Sequence, residues 1–158
     1  MFSKRMDALR LRLADAEIDV ALITDEDSVY YFSGYYDYLH MDFGRPTILV
    51  VRASGLSVLI TPSMELDMAE AAAAVDRIEP WNDGLGDEWR EALPTILNGA
   101  NRVAIEPEKM PPVVRNYIAS VVEETKLCDV TEIVSAMRMI KSEEEVDLAR
   151  HAGQVAMA

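Results

Sequence analysis

Cysteine occurs once, at Cys128; a lone thiol excludes an internal disulfide framework and is compatible with a reducing compartment. Its setting, Leu127-Cys128-Asp129-Val130, favours a buried structural thiol over a nucleophile. Histidine is nearly as scarce. His40 and His151 are the whole complement, and without paired cysteines a transition-metal cluster is hard to assemble from them. The glycines never form Gly-x-Gly-x-x-Gly or Gly-x-x-x-x-Gly-Lys, and neither His-Glu-x-x-His nor Gly-x-Ser-x-Gly occurs, so the dinucleotide, phosphate-loop, zincin and nucleophile-elbow motifs are all missing. No window is long and apolar enough to span a bilayer. Asp7, Arg10, Arg12 and Asp15 interrupt the N-terminus before an apolar stretch of signal-peptide length can form, and a cytoplasmic location is expected.

Positive charge is also short, with 15 Lys and Arg against 28 Asp and Glu and a formal net charge of −13. That balance opposes phosphate backbones and anionic lipid surfaces, so neither nucleic acid nor membrane is an expected partner. The acidic residues are spread among helices and form no tail-like block, which makes the charge a matter of solubility. With 158 residues, half of them apolar, the chain can bury one core of ordinary size.

Periodicity sets out the elements. Phe2, Met6, Leu9, Leu13 and Ala16 recur at helical steps. A buried strand is expected over Val20 to Thr24, then a helix start at Asp25-Glu26-Asp27-Ser28, ended by Ser33-Gly34. Thr47 to Val51 and Leu56 to Thr61 form a hairpin with Gly55 in its turn. Pro62-Ser63 opens an Ala-rich helix to about Ala74, and Arg77 to Trp81 is a strand. Further on come a helix carrying Trp89, Leu93 and a bending or shortening Pro94, a strand at Val103 to Glu106, a helix at Pro112 to Val122, and a strand at Lys126 to Val130. Thr131 caps a helix running to about Met139. Alternating strands and helices with one hairpin predict a single α/β domain with a mixed β-sheet of about five to six strands covered by helices. Trp81 and Trp89 are expected to pack in the interior.

Beyond Arg138-Met139-Ile140-Lys141, Ser142 and Glu145 form a capping box, and no stop signal follows before Ala158. A chain ending inside a well-started helix is expected to be a fragment. The run Arg138, Ile140, Lys141, Ser142, Glu144, Glu145 resembles the joint between the two domains of the creatinase/prolidase/aminopeptidase P family. Ser28-Val29-Tyr30-Tyr31-Phe32-Ser33-Gly34-Tyr35 resembles a second family element, with Ser28 as a small polar capping residue where Asn is usual. The resemblance implies a creatinase/prolidase-like N-terminal domain over 1–140. It implies that 141–158 begins a C-terminal "pita-bread" catalytic domain, to which the family's metal ligands belong. By itself the chain would be catalytically inert, and His151 a solvated or interdomain side chain.

Phe43-Gly44-Arg45, just before the strand at Thr47, looks like the creatinase branch, in which the Phe and Arg reach the neighbouring subunit's active site and the Arg holds a substrate carboxylate. A guanidinium suits that role because its planar fork can give two parallel hydrogen bonds; a surface ion pair is the alternative reading of Arg45. Phe43, His40, Tyr38, Tyr35 and Tyr36 could line the same pocket, or be buried by an interface or lid. The resemblance thus implies a homodimeric full-length hydrolase acting on a small carboxylate-bearing solute or a short Xaa-Pro peptide. No cofactor is expected in this fragment, while the whole protein would use two divalent metal ions in the peptidase branch or none in the creatinase branch. A catalytically dead interaction module of the same fold is the rival reading.

Overall fold

In a computed structural model that describes residues 1–36, 46–82 and 88–157, the opening apolar stripe becomes helix α1 (Phe2–Asp15), which buries Met6, Leu9 and Leu13. The chain turns into β1 (Val20–Ile23) and α2 (Glu26–Ser33), then forms the hairpin β2 (Ile48–Arg52) and β3 (Ser57–Pro62). A 3-10 turn at Ser63–Glu65 leads into α3 (Leu66–Ala72), followed by β4 (Arg77–Trp81), α4 (Trp89–Leu97) and β5 (Val103–Ile105). The remainder is α5 (Pro112–Val121), a 3-10 turn at Glu124–Lys126, β6 (Leu127–Asp129), α6 (Thr131–Met139) and α7 (Glu143–Ala156).

The sheet order is β4-β3-β2-β1-β5-β6, so the described strands form a mixed sheet of six, within the five to six expected. β1 pairs in parallel with β5 and antiparallel with β2, and the register Val20↔Val103 and Leu22↔Val50 places it at the centre. Strand side chains alternate between faces. Ala21, Ile23, Leu49, Val51 and Leu59 pack under α1, α2, α3 and α6, whereas Val20, Leu22, Ile48, Val50, Val58 and Ile60 pack under α4 and α5. Burial on both faces explains why these strands read as continuous apolar runs. Each fully buried Leu or Ile contributes about 1.5–3 kcal/mol from burial alone.

Local differences from the sequence reading have physical causes. Pro94 lies inside α4 without shortening it. A proline at this position leaves the carbonyl four residues back without its helical donor, and the Tyr117 hydroxyl donates to that Arg90 carbonyl at 3.1 Å. Trp89 packs edge-on against Tyr117, with ring centroids 5.3 Å apart. Thr131 does not cap α6; it is the first residue of the helix behind the N-cap Val130, and its amide donates to Asp129 Oδ1 at 2.7 Å. Ser28 is no cap either. Asp25 is the N-cap of α2, its carboxylate accepting from the Ser28 amide at 3.1 Å.

Candidate functional site

β1, β3, β4, β5 and β6 share one direction, which follows from their pairings through the antiparallel β2. Their carboxyl ends therefore lie along one edge of the sheet, where ligand crevices of open α/β sheets form. Two groups of side chains occupy that edge.

The first group surrounds the two points where segment 37–45 joins the described structure. Gly34 ends α2 with φ of 80°, and a Cβ there would come within 2.7 Å of the Phe2 ring. Glycine is therefore the residue that this left-handed, closely packed turn admits. Ser33 secures the same turn, its hydroxyl donating to the Val29 carbonyl at 2.7 Å and accepting from the Tyr35 amide at 3.1 Å. Tyr35 is buried, and its hydroxyl donates to Glu65, a carboxylate with 1% of its surface exposed. Tyr36 is exposed and meets Tyr30 edge-on. At the other junction the Trp81 indole Nε1 donates to the Pro46 carbonyl at 3.2 Å, and the buried Thr47 and Thr61 hydroxyls lie 3.2 Å apart. Tyr38, His40, Phe43 and Arg45, the substrate-binding residues expected from the sequence, lie outside the described residues.

The second group sits at the exits of β1 and β5. Asp25 Oδ2 receives the Ser28 hydroxyl at 2.8 Å, Arg138 Nη1 at 3.1 Å and Lys109 Nζ at 3.3 Å. Burial works against its charge, but the Ser28 and Lys109 contacts outweigh it and hold the carboxyl below its usual range. Arg138 also reaches Asp27 at 3.1 Å. Glu106, almost fully buried, has Lys109 Nζ 3.3 Å from its Oε1. Burial pushes its pKa up, opposed by Lys109 and reinforced by Asp25.

Next to this group a groove of about 780 Å³ runs between α1, α2, α6 and the first turn of α7, lined by Arg5, Tyr31, Arg138, Glu145 and Leu148 among others. The Arg5 guanidinium stacks 4.0 Å from the Tyr31 ring centroid and pairs with Glu145 at 3.0 Å. The expected capping box is present, with the Glu145 amide donating to Ser142 Oγ at 3.3 Å and the Ser142 amide to Glu145 Oε2 at 2.9 Å. None of the α7 residues is buried, and His151 is exposed.

Sequence reasoning anticipated Arg138, Ser142 and Glu145 as a joint, but not their anchors. Asp25 was legible only as part of a helix start, Arg5, Glu65, Glu106 and Lys109 belong to no motif, and the places of all five arise from strand order. Cys128 is half-buried in β6, and burial pushes its thiol pKa up, in line with a structural role. Among the described residues no group of three or more His, Cys, Asp or Glu could hold a metal ion, and no helix is long and apolar enough to cross a membrane.

The sequence model of the Creatinase/Prolidase N-terminal domain matches residues 5–140. The chain belongs to that family. Similar curated proteins include the creatinase of Bacillus sp. (strain B-0618), 27% identical over 158 residues that make up 98% of this chain and 37% of the relative. An uncharacterized peptidase of Staphylococcus aureus (strain bovine RF122 / ET3-1) is 29% identical over 154 residues, 98% of this chain and 40% of the relative. This member of the creatinase/prolidase N-terminal family thus spans about two fifths of the length of the curated relatives it matches. Among solved structures, the dipeptidase of Pyrococcus horikoshii OT3 superposes with a TM-score of 0.78 at 24% identity, over 96% of this chain and 41% of that one. The Xaa-Pro dipeptidase of Bacillus anthracis gives 0.78 at 16% identity, over 99% of this chain and 41% of that one. At such identities these superpositions show the fold.

Proposed function

We propose that the chain is the non-catalytic N-terminal domain of a creatinase- or Xaa-Pro-peptidase-like hydrolase, and that it supplies dimer contacts and a substrate-carboxylate clamp to the neighbouring subunit's active site. The observation that carries this reading is the match along 98% of the chain to 37% of a creatinase. Arg45 is the clamp, Phe43 walls the pocket, and His40 and Tyr38 complete its lining. The residues on either side of 37–45 are fixed at the carboxyl edge, Tyr35 by its bond to Glu65 and Pro46 by its bond from Trp81. Residues 1–140 form the domain body, and 141–158 start the first helix of the catalytic unit.

The donor set described above does not fit a metal. Any divalent pair, as in a metal-dependent Xaa-Pro dipeptidase or aminopeptidase, is assigned to the following domain, and no step is derived through it. The similarity to the S. aureus peptidase supports that peptidase branch as the second reading. The whole enzyme would cleave a C–N bond in a small carboxylate-bearing solute or a short Xaa-Pro peptide.

The test is Arg45→Met in the full-length dimer. Losing a charge-assisted fork should lower kcat/KM by a factor corresponding to about 2–5 kcal/mol, with Arg45→Lys recovering only part and folding almost unchanged. Wild type should prefer a carboxylate substrate over its neutral amide, and Arg45→Met should not. An unchanged acid-to-amide ratio in the variant would make Arg45 a surface ion-pair residue. Sedimentation of the full-length protein as a monomer would remove the trans contribution.

A further inference from the structure

Helix α7 is joined to the rest of the domain by little besides the chain itself. None of its residues is buried. Among the described residues one side-chain polar contact links it to another element, the pair between Glu145 Oε1 and Arg5 Nη2 at 3.0 Å. Its other side-chain hydrogen bonds and ion pairs stay within the helix and its cap, between Ser142 and Glu145 and between Asp147 and Arg150. How firmly Arg5 is held then bears on where α7 points.

Arg5 is anchored before it meets Glu145. Its Nη1 donates to the Tyr31 carbonyl at 3.0 Å, one of the last four carbonyls of α2, which a helix cannot pair internally, and a cation there suits the negative end of the helix dipole. The guanidinium also lies 4.0 Å from the Tyr31 ring centroid, an attraction that grows as water is excluded. That ring is pinned at its far end, where the Tyr31 hydroxyl donates to the Met137 carbonyl of α6 at 2.9 Å. The side chains of Arg5 and Glu145 are 12% and 20% exposed. Ion pairs in water contribute little, partly because two long side chains must be ordered to form them. Here the carbonyl and the ring order Arg5, and the second Glu145 oxygen is fixed by the Ser142 amide at 2.9 Å. The planar fork gives one donor to the carbonyl and one to the carboxylate while its face stays on the ring, a geometry an ammonium does not reproduce.

We propose that Arg5 is the positioning residue that fixes the direction of α7 against the end of α2. The first turn of α1 grips that end twice, through Arg5 on the Tyr31 carbonyl and through the Phe2 ring packed where Gly34 has no side chain. Through Arg5 the start of α7 moves as one piece with the end of α2, whichever reaction the whole protein carries out. The capping box starts the helix and the ion pair aims it, so substitution can separate the two.

The test uses the 158-residue chain, with the order of the α7 amide vectors relative to the sheet taken from NMR dipolar couplings. An order parameter of about 0.85, that of rigid backbone, is expected over Val146 to Gly153 in wild type, and one below about 0.6 in Arg5→Met and in Glu145→Gln. Glutamine still accepts the Ser142 amide, so Glu145→Gln keeps the capping box and loses the charge. The double variant should fall no further than either single one, because both remove the same contact, and Arg5→Lys should recover part of the order. Ser142→Ala should hasten amide exchange in α7 while the Arg5 pair keeps its direction. A wild-type order parameter below about 0.6, or one unchanged in Arg5→Met, overturns the proposal. So does a double variant that adds the two losses, or a Ser142→Ala variant that loses order as fully as Arg5→Met. If Arg5→Met does not fold, Glu145→Gln decides alone.

Discussion

The two ends of the sheet handle their carboxylates in opposite ways. At the amino end, Asp19 accepts from the Asn101 and Arg102 amides at 2.7 and 3.0 Å, tying β1 to β5. Asp76 accepts from the Ser57 amide and hydroxyl at 2.7 and 2.6 Å and from Arg10 at 2.8 Å, tying β4 to β3 and α1. Backbone amides hold the Asp19 pKa below its usual range, and the Ser57 hydroxyl does the same for Asp76. Both are solvent-facing acids used as fasteners. At the carboxyl end, Glu65 and Glu106 are each 1% exposed, buried where a fold selected for stability alone would place apolar groups. The acids at the amino end accept backbone amides next to solvent, whereas the carboxyl end buries two acids.

The largest expected effect falls at the carboxyl end. Gly34→Val forces a β-branched residue to φ of 80° and drives its Cβ into the Phe2 ring. Left-handed strain and overpacking together should cost about 3 kcal/mol or more in chemical denaturation. A loss below about 1 kcal/mol would mean that the turn relaxes and does not define the approach to Tyr35. Tyr35→Phe removes the donor to a buried carboxylate, and a loss of about 2 kcal/mol in chemical denaturation is expected. A loss below about 0.5 kcal/mol would mean that Glu65 does not depend on this donor.

At the amino end the effects are smaller. The Asp76 side chain is half-exposed, so Asp76→Asn should cost only about 1 kcal/mol at neutral pH after solvent screening. Because the folded-state pKa is depressed, that contribution is present above the ordinary aspartate value of about 3.9 and lost as pH falls through the folded value. Wild type and variant should converge in acid, and a gap that persists at pH 2 would show that the carboxylate charge is not what fastens the strands. The smallest effect belongs to α7. Ser142→Ala should weaken that helix by about 1 kcal/mol, seen as faster amide exchange over Glu143–Ala156 with the Tm of the body unmoved, since the helix buries nothing. A shift of several degrees in Tm would mean that α7 is packed after all.

The α1 stripe, the central apolar strands, the hairpin turn at Gly55 and the Ser142 capping box could all be read from sequence because each is local. Each depends on a period of two or 3.6 residues, or on a side chain meeting a backbone group within three residues. The creatinase/prolidase resemblance was legible for a similar reason, being carried by short runs such as Arg138-Met139-Ile140-Lys141-Ser142. The caps of α2 and α6 were misread because Asp and Ser, or Asp and Thr, stand close together and all three residue types favour a helix N-terminus. The choice between them rests on where the flanking strand ends.

Only the tertiary structure decided what stands beside what. Glu106 and Asp25 are far apart in the chain, yet both reach one lysine because β5 lies parallel to β1. Arg5 finds Glu145 because α1 and the turn after α6 share a face. Such contacts depend on strand order and on which side each crossover passes, and no residue pattern within one element encodes either. Local periodicity determined the elements and their buried faces, whereas burial of Glu65 and Glu106, and with it the raised pKa of Glu106, came from stacking those elements into layers that exclude water.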